Sequence, residues 1–476
     1  MSTDALKAEV LDQPQGATLR KELGLLDLAL AQIVYMVSLD FFGTAAKAGS
    51  AHVFLWLVAI VCFFIPIALV VAHLNQWMPV EGGLYEWARI GFSDSIGFLV
   101  AWNLWLYVVL LVAQIGLIST TFFAFALGQN AAWITTNKPL ITAVSIVIIA
   151  ALAYVSARGL QLGKWVTNVG GILTIAVLAF LVLAPFSHSA GSNHHYSPLR
   201  VVIPPLSLFS LSVFSKMTFG ALCGFELVAI FAAETRDPAR SIRRSVLIAA
   251  PIIALLYILG TSAILAFVSS GDVNIIGPIA QALSLALQPA GLSALVAGVT
   301  ILLLLTNQLA TSTLLFSASA RLPMVAGWDH LLPAWFTRLH RLYKTPVNSV
   351  LFVAAVTLVA SVAVLIGVGE QEAFAMLQIW AFTFYGLSYL VMFAIPLFGR
   401  KQARPALWLR AAALSGFLVT LLFVLLSVFP IIPVESQAEY TWKTVAVILG
   451  ANAMGILLHL AGRSKPELSQ RAAARD

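Results

Sequence analysis

Long apolar runs separated by short polar loops dominate the pattern along the chain. A membrane-spanning α-helix needs about 20 mainly apolar residues, because the hydrocarbon core of a bilayer is about 30 Å thick. Runs of this kind recur throughout and predict an all-α integral membrane protein with twelve transmembrane helices. The predicted spans lie near residues 25–50, 53–76, 95–127, 139–157, 164–186, 206–234, 243–269, 291–320, 347–368, 372–397, 407–429 and 441–462.

The polar segments between and beyond these spans are too short to form a separate soluble domain. Polar tails are expected over 1–24 and 463–476, and the stretch from Gly271 to Pro289 predicts a short helix with a loop. The first tail lacks the apolar core of a cleaved signal peptide, so the first span is expected to act as its own insertion signal.

Composition agrees with a membrane setting. Hydrophobic residues make up 60% of the chain and charged residues 10%, whereas a soluble domain carries about 25% charged residues. The net charge of +7 comes from basic loops between apolar spans, so no nucleic-acid partner is expected. The two cysteines, Cys62 and Cys223, both lie in apolar segments and predict no disulfide framework.

The distribution of lysine and arginine predicts the orientation. If the N-terminus is cytoplasmic, Lys216 lies inside a span and only Lys47, Lys138, Arg200 and Lys443 fall on the outer side. Cytoplasmic loops carry an excess of basic residues, so both termini are expected in the cytoplasm. The expected location is the cell (inner or plasma) membrane, with the lipid bilayer as a partner.

Two spans contain residues that interrupt a transmembrane helix. Span one holds Asp40 and Gly43, and span six holds Gly220, Gly224 and Glu226. Ionisable groups at membrane depth are costly and normally face a cavity or a partner, while glycines let a helix open. Corresponding interruptions in two halves indicate an inverted-repeat transporter with its substrate site between them. The alternative is that Gly220 and Gly224 serve close helix packing.

Four pieces of sequence carry a resemblance to a known family. They are Pro79, Gly82, Gly83 and Tyr85 after span two; Gly224, Phe225, Glu226, Glu234, Asp237, Pro238 and Arg240 at and after the end of span six; Arg321, Asp329 and Pro333 after span eight; and residues 164–171 in span five. In this order the chain resembles the amino acid–polyamine–organocation superfamily, with features of its glutamate/GABA antiporter and polyamine permease branches.

The resemblance implies a LeuT-like fold and alternating access. It places a five-helix repeat at 25–186, an inverted second repeat at 206–397 and two added helices at 407–462. Relatives often carry a Gly-Ser-Gly-type sequence at the first interruption, where backbone amides hold a substrate carboxylate. This chain has Ser38, Leu39 and Asp40 there, and a fixed carboxylate repels an anion and attracts an ammonium group. It also has Thr174 where some proton-coupled relatives have lysine, and Arg243 where relatives often have proline.

The residues expected to contact a substrate lie at the two interruptions and on spans three and eight. They are Ser38, Leu39, Asp40, Gly43, Trp105, Phe219, Gly220, Cys223, Gly224, Asn307 and Thr311. Phe219 borders the second interruption and is a gate candidate. Asn307 and Thr311 are one helical turn apart and can share a cavity face, whereas an aromatic residue such as Trp105 more often serves packing.

Three ionisable residues are candidates for charge or proton coupling, and each keeps an alternative role. Asp40 is expected to meet a substrate amine, carry a proton, or pair with Lys216. Lys216 can hold a substrate carboxylate, pair with Asp40, or extend toward water. Glu226 has either a proton-linked role or a structural hydrogen-bonding role.

No nucleotide-binding loop, catalytic triad or metal cluster is evident in the sequence, so the predicted protein is not an enzyme and uses no cofactor beyond a coupled proton. The predicted function is a secondary active transporter, by proton-coupled symport or exchange, for an amino acid or related amine. The alternative is a polyamine or other cationic amine permease, followed by a nutrient sensor or a channel. The expected assembly is a monomer or homodimer.

Overall fold

The computed structural model describes residues 29, 32–33, 36–78, 83–158, 163–187, 200–226, 238–287, 291–325, 334–340, 345–399 and 405–473, except for some side chains within these ranges. The described residues form helices and loops, and no strand occurs among them. In chain order the helices are α1 (Phe41–Ala46), α2 (Gly49–Trp77), α3 (Leu84–Gly91), α4 (Asp94–Leu127), α5 (Lys138–Arg158), α6 (Gly163–Ser187), α7 (Leu208–Leu222), α8 (Pro238–Phe267), α9 (Pro278–Ala286), α10 (Gly291–Val325), α11 (Val347–Ala363), α12 (Glu370–Phe398), α13 (Leu407–Leu426) and α14 (Gln437–Ala473).

Eight helical segments of the described part are long and apolar enough to cross a membrane. They are Gly49–Trp77, Asp94–Leu127, Lys138–Arg158, Leu247–Phe267, Leu295–Pro323, Glu370–Phe398, Leu407–Leu426 and Gln437–Ala461. Shorter apolar segments lie at Ile175–Pro185, Leu208–Leu222 and Val347–Ala363. The predicted all-helical, multi-span character is therefore confirmed for the described residues, as is the short helix predicted after Gly271, which is α9.

The ends of α7 follow from its sequence. At its start Ser207 Oγ accepts a hydrogen bond from the Ser210 N–H at 3.1 Å, and Ser210 Oγ accepts one from the Ser207 N–H at 3.0 Å. This reciprocal capping satisfies amides that have no partner inside the helix. The helix ends at Leu222 because Cys223 is extended, with ψ of 160°. The span predicted near 206–234 is therefore helical through Gly220 and leaves the helix before Gly224, while residues 227–234 lie outside the described residues.

The two interrupted regions lie within the helix bundle. Helix α1 packs against α7 and α8, and α12 packs against α4 and α13. Large aromatic side chains, including Phe42, Phe63 and Phe225, are fully buried between these helices. By contrast, α14 leaves Trp442 and Leu449 well exposed, as expected of a helix that faces lipid.

Candidate functional site

The first interruption is held by one tyrosine. Val37 to Asp40 leave the helical conformation before α1 begins. The Ser38 N–H donates to the Tyr257 hydroxyl at 3.0 Å, and that hydroxyl donates to the Met36 carbonyl at 2.7 Å. Tyr257 comes from α8 and is fully buried, with its ring stacked on Trp56 at 4.8 Å between centroids. A single hydroxyl therefore satisfies a donor and an acceptor that the interruption frees.

The second interruption has a matching arrangement. Gly224 has a φ of +118°, a conformation that side-chain-bearing residues rarely adopt. Its N–H donates to the hydroxyl of Tyr389, on α12, at 2.7 Å. The Cys223 N–H instead continues the helical pattern and donates to the Phe219 carbonyl at 3.2 Å. In each interruption, an amide released from helix geometry is bonded to a tyrosine hydroxyl from a neighbouring helix.

Glu226 is part of the same hydrogen-bond network. Its carboxylate is 3% exposed and accepts hydrogen bonds from the hydroxyls of both Tyr385 and Tyr389. These two hydrogen bonds join the end of the second interruption to α12. The contacts match the structural alternative for Glu226, and its proton-linked role stays a prediction.

The two interruptions touch through Phe41 and Gly220. A Cβ atom built on Gly220 would lie 1.9 Å from Phe41 Cε1, so only glycine admits this ring. The Phe41 ring also packs edge-on against Phe382 at 4.8 Å. Gly43 is similarly constrained, because a Cβ there would lie 3.1 Å from Pro278 Cγ. In this conformation both predicted site glycines allow close packing.

Asp40 lies between the first interruption and α1. Its side chain is partly exposed, makes no capping hydrogen bond to α1, and forms no ion pair with any described residue. The site thus contains one carboxylate that its described surroundings leave without a partner.

Lys216 is engaged elsewhere. Its ammonium donates to Ser212 Oγ at 2.6 Å and to the carbonyls of Leu426 at 2.8 Å and Phe429 at 2.7 Å. These carbonyls lie at and just beyond the end of α13, where a positive charge is stabilised by the helix dipole. The ion pair between Asp40 and Lys216 that the sequence left open is therefore absent here, because three oxygen acceptors hold the ammonium. Extension to water is also absent, since Lys216 is only 6% exposed.

A small cavity of about 30 Å³ lies beside these groups on the predicted outer side. Phe41, Thr44, Lys216, Gln378 and Phe423 are among its lining residues. A buried water needs roughly 10–15 Å³ of such space, so the cavity has room for one or two water molecules. A cavity of this volume does not hold an amino acid.

Trp105 and Phe219, two further residues predicted to contact a substrate, both pack against other aromatic side chains. Trp105 faces away from the interruptions and stacks on Phe352 of α11 at 6.1 Å. Tyr107, two residues on, instead stacks on Tyr385 at 4.2 Å. Phe219 is fully buried and stacks on Phe423 of α13 at 4.6 Å.

On span eight, the Thr311 hydroxyl donates to the Asn307 carbonyl of its own helix at 3.0 Å. None of these contacts tests an interaction with a substrate. The substrate roles therefore stay predictions for every predicted contact residue: Ser38, Leu39, Asp40, Gly43, Trp105, Phe219, Gly220, Cys223, Gly224, Asn307 and Thr311.

Tyr257 and Tyr389 were not among the predicted site residues. The sequence feature that could have identified them is a tyrosine inside an apolar span, because a buried tyrosine hydroxyl usually has a hydrogen-bond partner. Several residues that carried the resemblance lie outside the described residues: Pro79, Gly82, Glu234, Asp237, Asp329, Pro333 and the side chains of 164–171, Pro238 and Arg240. The same holds for the side chains of Thr174 and Arg243, where the chain departs from its relatives.

Comparison with known proteins identifies similar transporters and permeases. The model of the amino acid permease family matches residues 23–455. An uncharacterised transporter from Legionella pneumophila is 25% identical over 79% of this chain and 80% of the relative. A branched-chain amino acid permease from Bacillus subtilis is 24% identical over 76% of this chain and 80% of the relative. A probable agmatine/putrescine antiporter from Lactococcus lactis is 26% identical over 50% of each chain. The chain belongs to the amino acid permease family, within the amino acid–polyamine–organocation superfamily.

Proposed function

We propose that this family member is a secondary active transporter that moves an amino acid or related amine across the cell membrane by alternating access. It works as a proton-coupled symporter or as an exchanger. The observation that carries the proposal is the contact between the two interruptions, where Phe41 is seated against Gly220 and Asp40 stands unpaired beside them. Two broken helices that meet inside a bundle form a binding site which can open to either side.

The packing of the helices supports the proposed twelve-span, inverted-repeat arrangement. Under this arrangement spans one to five correspond to spans six to ten. Four pairs of helices at equivalent positions in the two repeats pack against each other: α1 against α7, α2 against α8, α4 against α10 and α5 against α11. Such pairing is expected when the substrate site lies at the interface between the repeats.

The named relatives support the class of solute. One relative is named as a probable agmatine/putrescine antiporter, and another as a branched-chain amino acid permease. These solutes share an amine, and Asp40 is the charge within the interruptions that can pair with one. Of these two solute classes, we propose an amino acid first and a cationic amine as the alternative.

Counterflow into proteoliposomes tests the proposal. Vesicles that contain the purified chain are loaded with unlabelled amino acids or amines, and uptake of the labelled compound is followed. We expect saturable uptake that the internal compound accelerates, because an exchanging carrier returns loaded. Uptake that does not saturate and is not accelerated would indicate a channel. Binding without any uptake would indicate a sensor, and either result contradicts the proposal.

A further inference from the structure

A carboxylate bound between membrane helices needs hydrogen-bond donors or a cation, since burial of an unpaired charge is costly. Interrupted helices normally supply such donors as released backbone amides. In the described part of this chain, the released amides of Ser38 and Gly224 already donate to the hydroxyls of Tyr257 and Tyr389. These two donors are therefore committed within the protein.

The lysine near the site is committed as well. All three N–H donors of Lys216 are matched by oxygen acceptors at 2.6–2.8 Å, two of them backbone carbonyls of the segment that ends α13. Turning this ammonium toward a bound carboxylate would remove one hydrogen bond from each of these carbonyls. The Leu426 carbonyl would keep only the Phe429 N–H as a donor, and the Phe429 carbonyl only the Ser212 hydroxyl. Such a loss costs free energy that the new contact has to offset.

Asp40 adds a third, independent argument. Its carboxylate precedes α1 directly, so the amides at the start of that helix lie next to a negative charge. A second carboxylate bound at those amides would be repelled. An ammonium group would instead find in Asp40 a partner that forms no ion pair with any described residue.

We propose that this site selects amines that lack an α-carboxylate over the corresponding amino acids. The inference rests on the proposed transport function at the two interruptions and names its substrate class. The Tyr257 hydroxyl occupies the Ser38 amide that a carboxylate would need, and Asp40 binds the ammonium.

Matched pairs of compounds test the inference, because agmatine and arginine, putrescine and ornithine, and cadaverine and lysine each differ only by an α-carboxylate. Binding to the purified full-length protein is measured by calorimetry, and exchange by counterflow. We expect the amine of each recognised pair to bind at least about tenfold more tightly than its amino acid, which is a clear difference on a logarithmic affinity scale. Equal or tighter binding of the amino acids, with counterflow intact, overturns the inference and leaves the transport proposal standing. Failure of every compound to bind or exchange contradicts the transport proposal and the inference with it.

Two variants test whether Tyr257 and Asp40 cause the proposed preference for amines. Tyr257→Phe removes one of the two acceptors of the Ser38 amide, which also donates to the Met36 carbonyl at 2.9 Å. This variant is expected to reduce the amine-to-amino-acid ratio at least about threefold, whereas Tyr154→Phe, at an exposed tyrosine of α5, leaves it unchanged. Asp40→Asn is expected to weaken the amine at least about tenfold. An unchanged ratio in Tyr257→Phe contradicts the role given to its hydroxyl. If that variant does not fold, the Asp40→Asn affinity and the wild-type ratio decide.

Discussion

At the scale of single residues, the same side-chain chemistry recurs at both interruptions. A tyrosine hydroxyl can accept from an amide and donate to an oxygen at once. Tyr257 does this between Ser38 and Met36, and Tyr389 does it between Gly224 and Glu226. Membrane interiors offer no water to satisfy unwound backbone, so these hydroxyls are what allows the helices to stay open.

The sequence indicated where the interruptions lie but not how they are stabilised. Asp40 stands out because a carboxyl is unusual in an apolar span, and Gly220 and Gly224 stand out because they precede a second carboxyl, that of Glu226. Tyr257 does not stand out, since its role depends on where α8 packs against the first interruption. The partners of Lys216 were unpredictable for the same reason, because they belong to the end of α13, 210 residues further along the chain.

Gly220 gives a prediction at this scale. We expect Gly220→Ala to lower the melting temperature and abolish transport, because its methyl group would overlap the Phe41 ring. Overpacking of this kind typically costs about 1–3 kcal/mol of unfolding free energy. Gly450→Ala on α14 is the control, since no atom lies within 4 Å of the position that its added methyl group would take. Equal melting temperatures and transport rates for the two variants would argue against close contact of the interruptions.

At the scale of helices, α7 is joined to α13 by hydrogen bonds. The Lys216 ammonium and the Ser212 hydroxyl both donate to the Phe429 carbonyl, at 2.7 Å and 3.1 Å. At this helix end the cation adds a donor to the Leu426 carbonyl, which also accepts from the Phe429 N–H at 3.1 Å. This contact assigns Lys216 to the joint between the two helices rather than to solute recognition.

Substitution of Lys216 separates these two roles. We expect Lys216→Met to lower the free energy of unfolding by about 1.5–3 kcal/mol, the usual contribution of a hydrogen bond to a charged group. The preference among transported compounds should not change. Lys443→Met is a suitable comparison, because Lys443 forms only a surface pair with Glu439 at 3.3 Å, and such pairs contribute little. Unaltered stability together with altered selectivity would place Lys216 in the binding site instead.

At the scale of the whole molecule, the spans were the most predictable feature. Hydropathy reports directly on burial in lipid, and the described helices coincide with the predicted apolar runs. The packing of the helices against one another was harder to predict from the sequence, because it depends on contacts between side chains that are distant in sequence. Trp105 and Tyr107 illustrate this, since both lie on span three but only Tyr107 turns toward the second interruption.

The central claim is that solute crosses the membrane through the two interruptions. Counterflow by Asp40→Asn tests it most directly, with Glu439→Gln, an exposed carboxyl at the start of α14, as the control. Both variants are compared with the wild type at equal reconstituted protein and similar melting temperature. We predict that Asp40→Asn lowers counterflow at least about tenfold, the effect of losing one ionic contact of about 1.4 kcal/mol, while Glu439→Gln retains the wild-type rate. Full counterflow in Asp40→Asn would contradict the account.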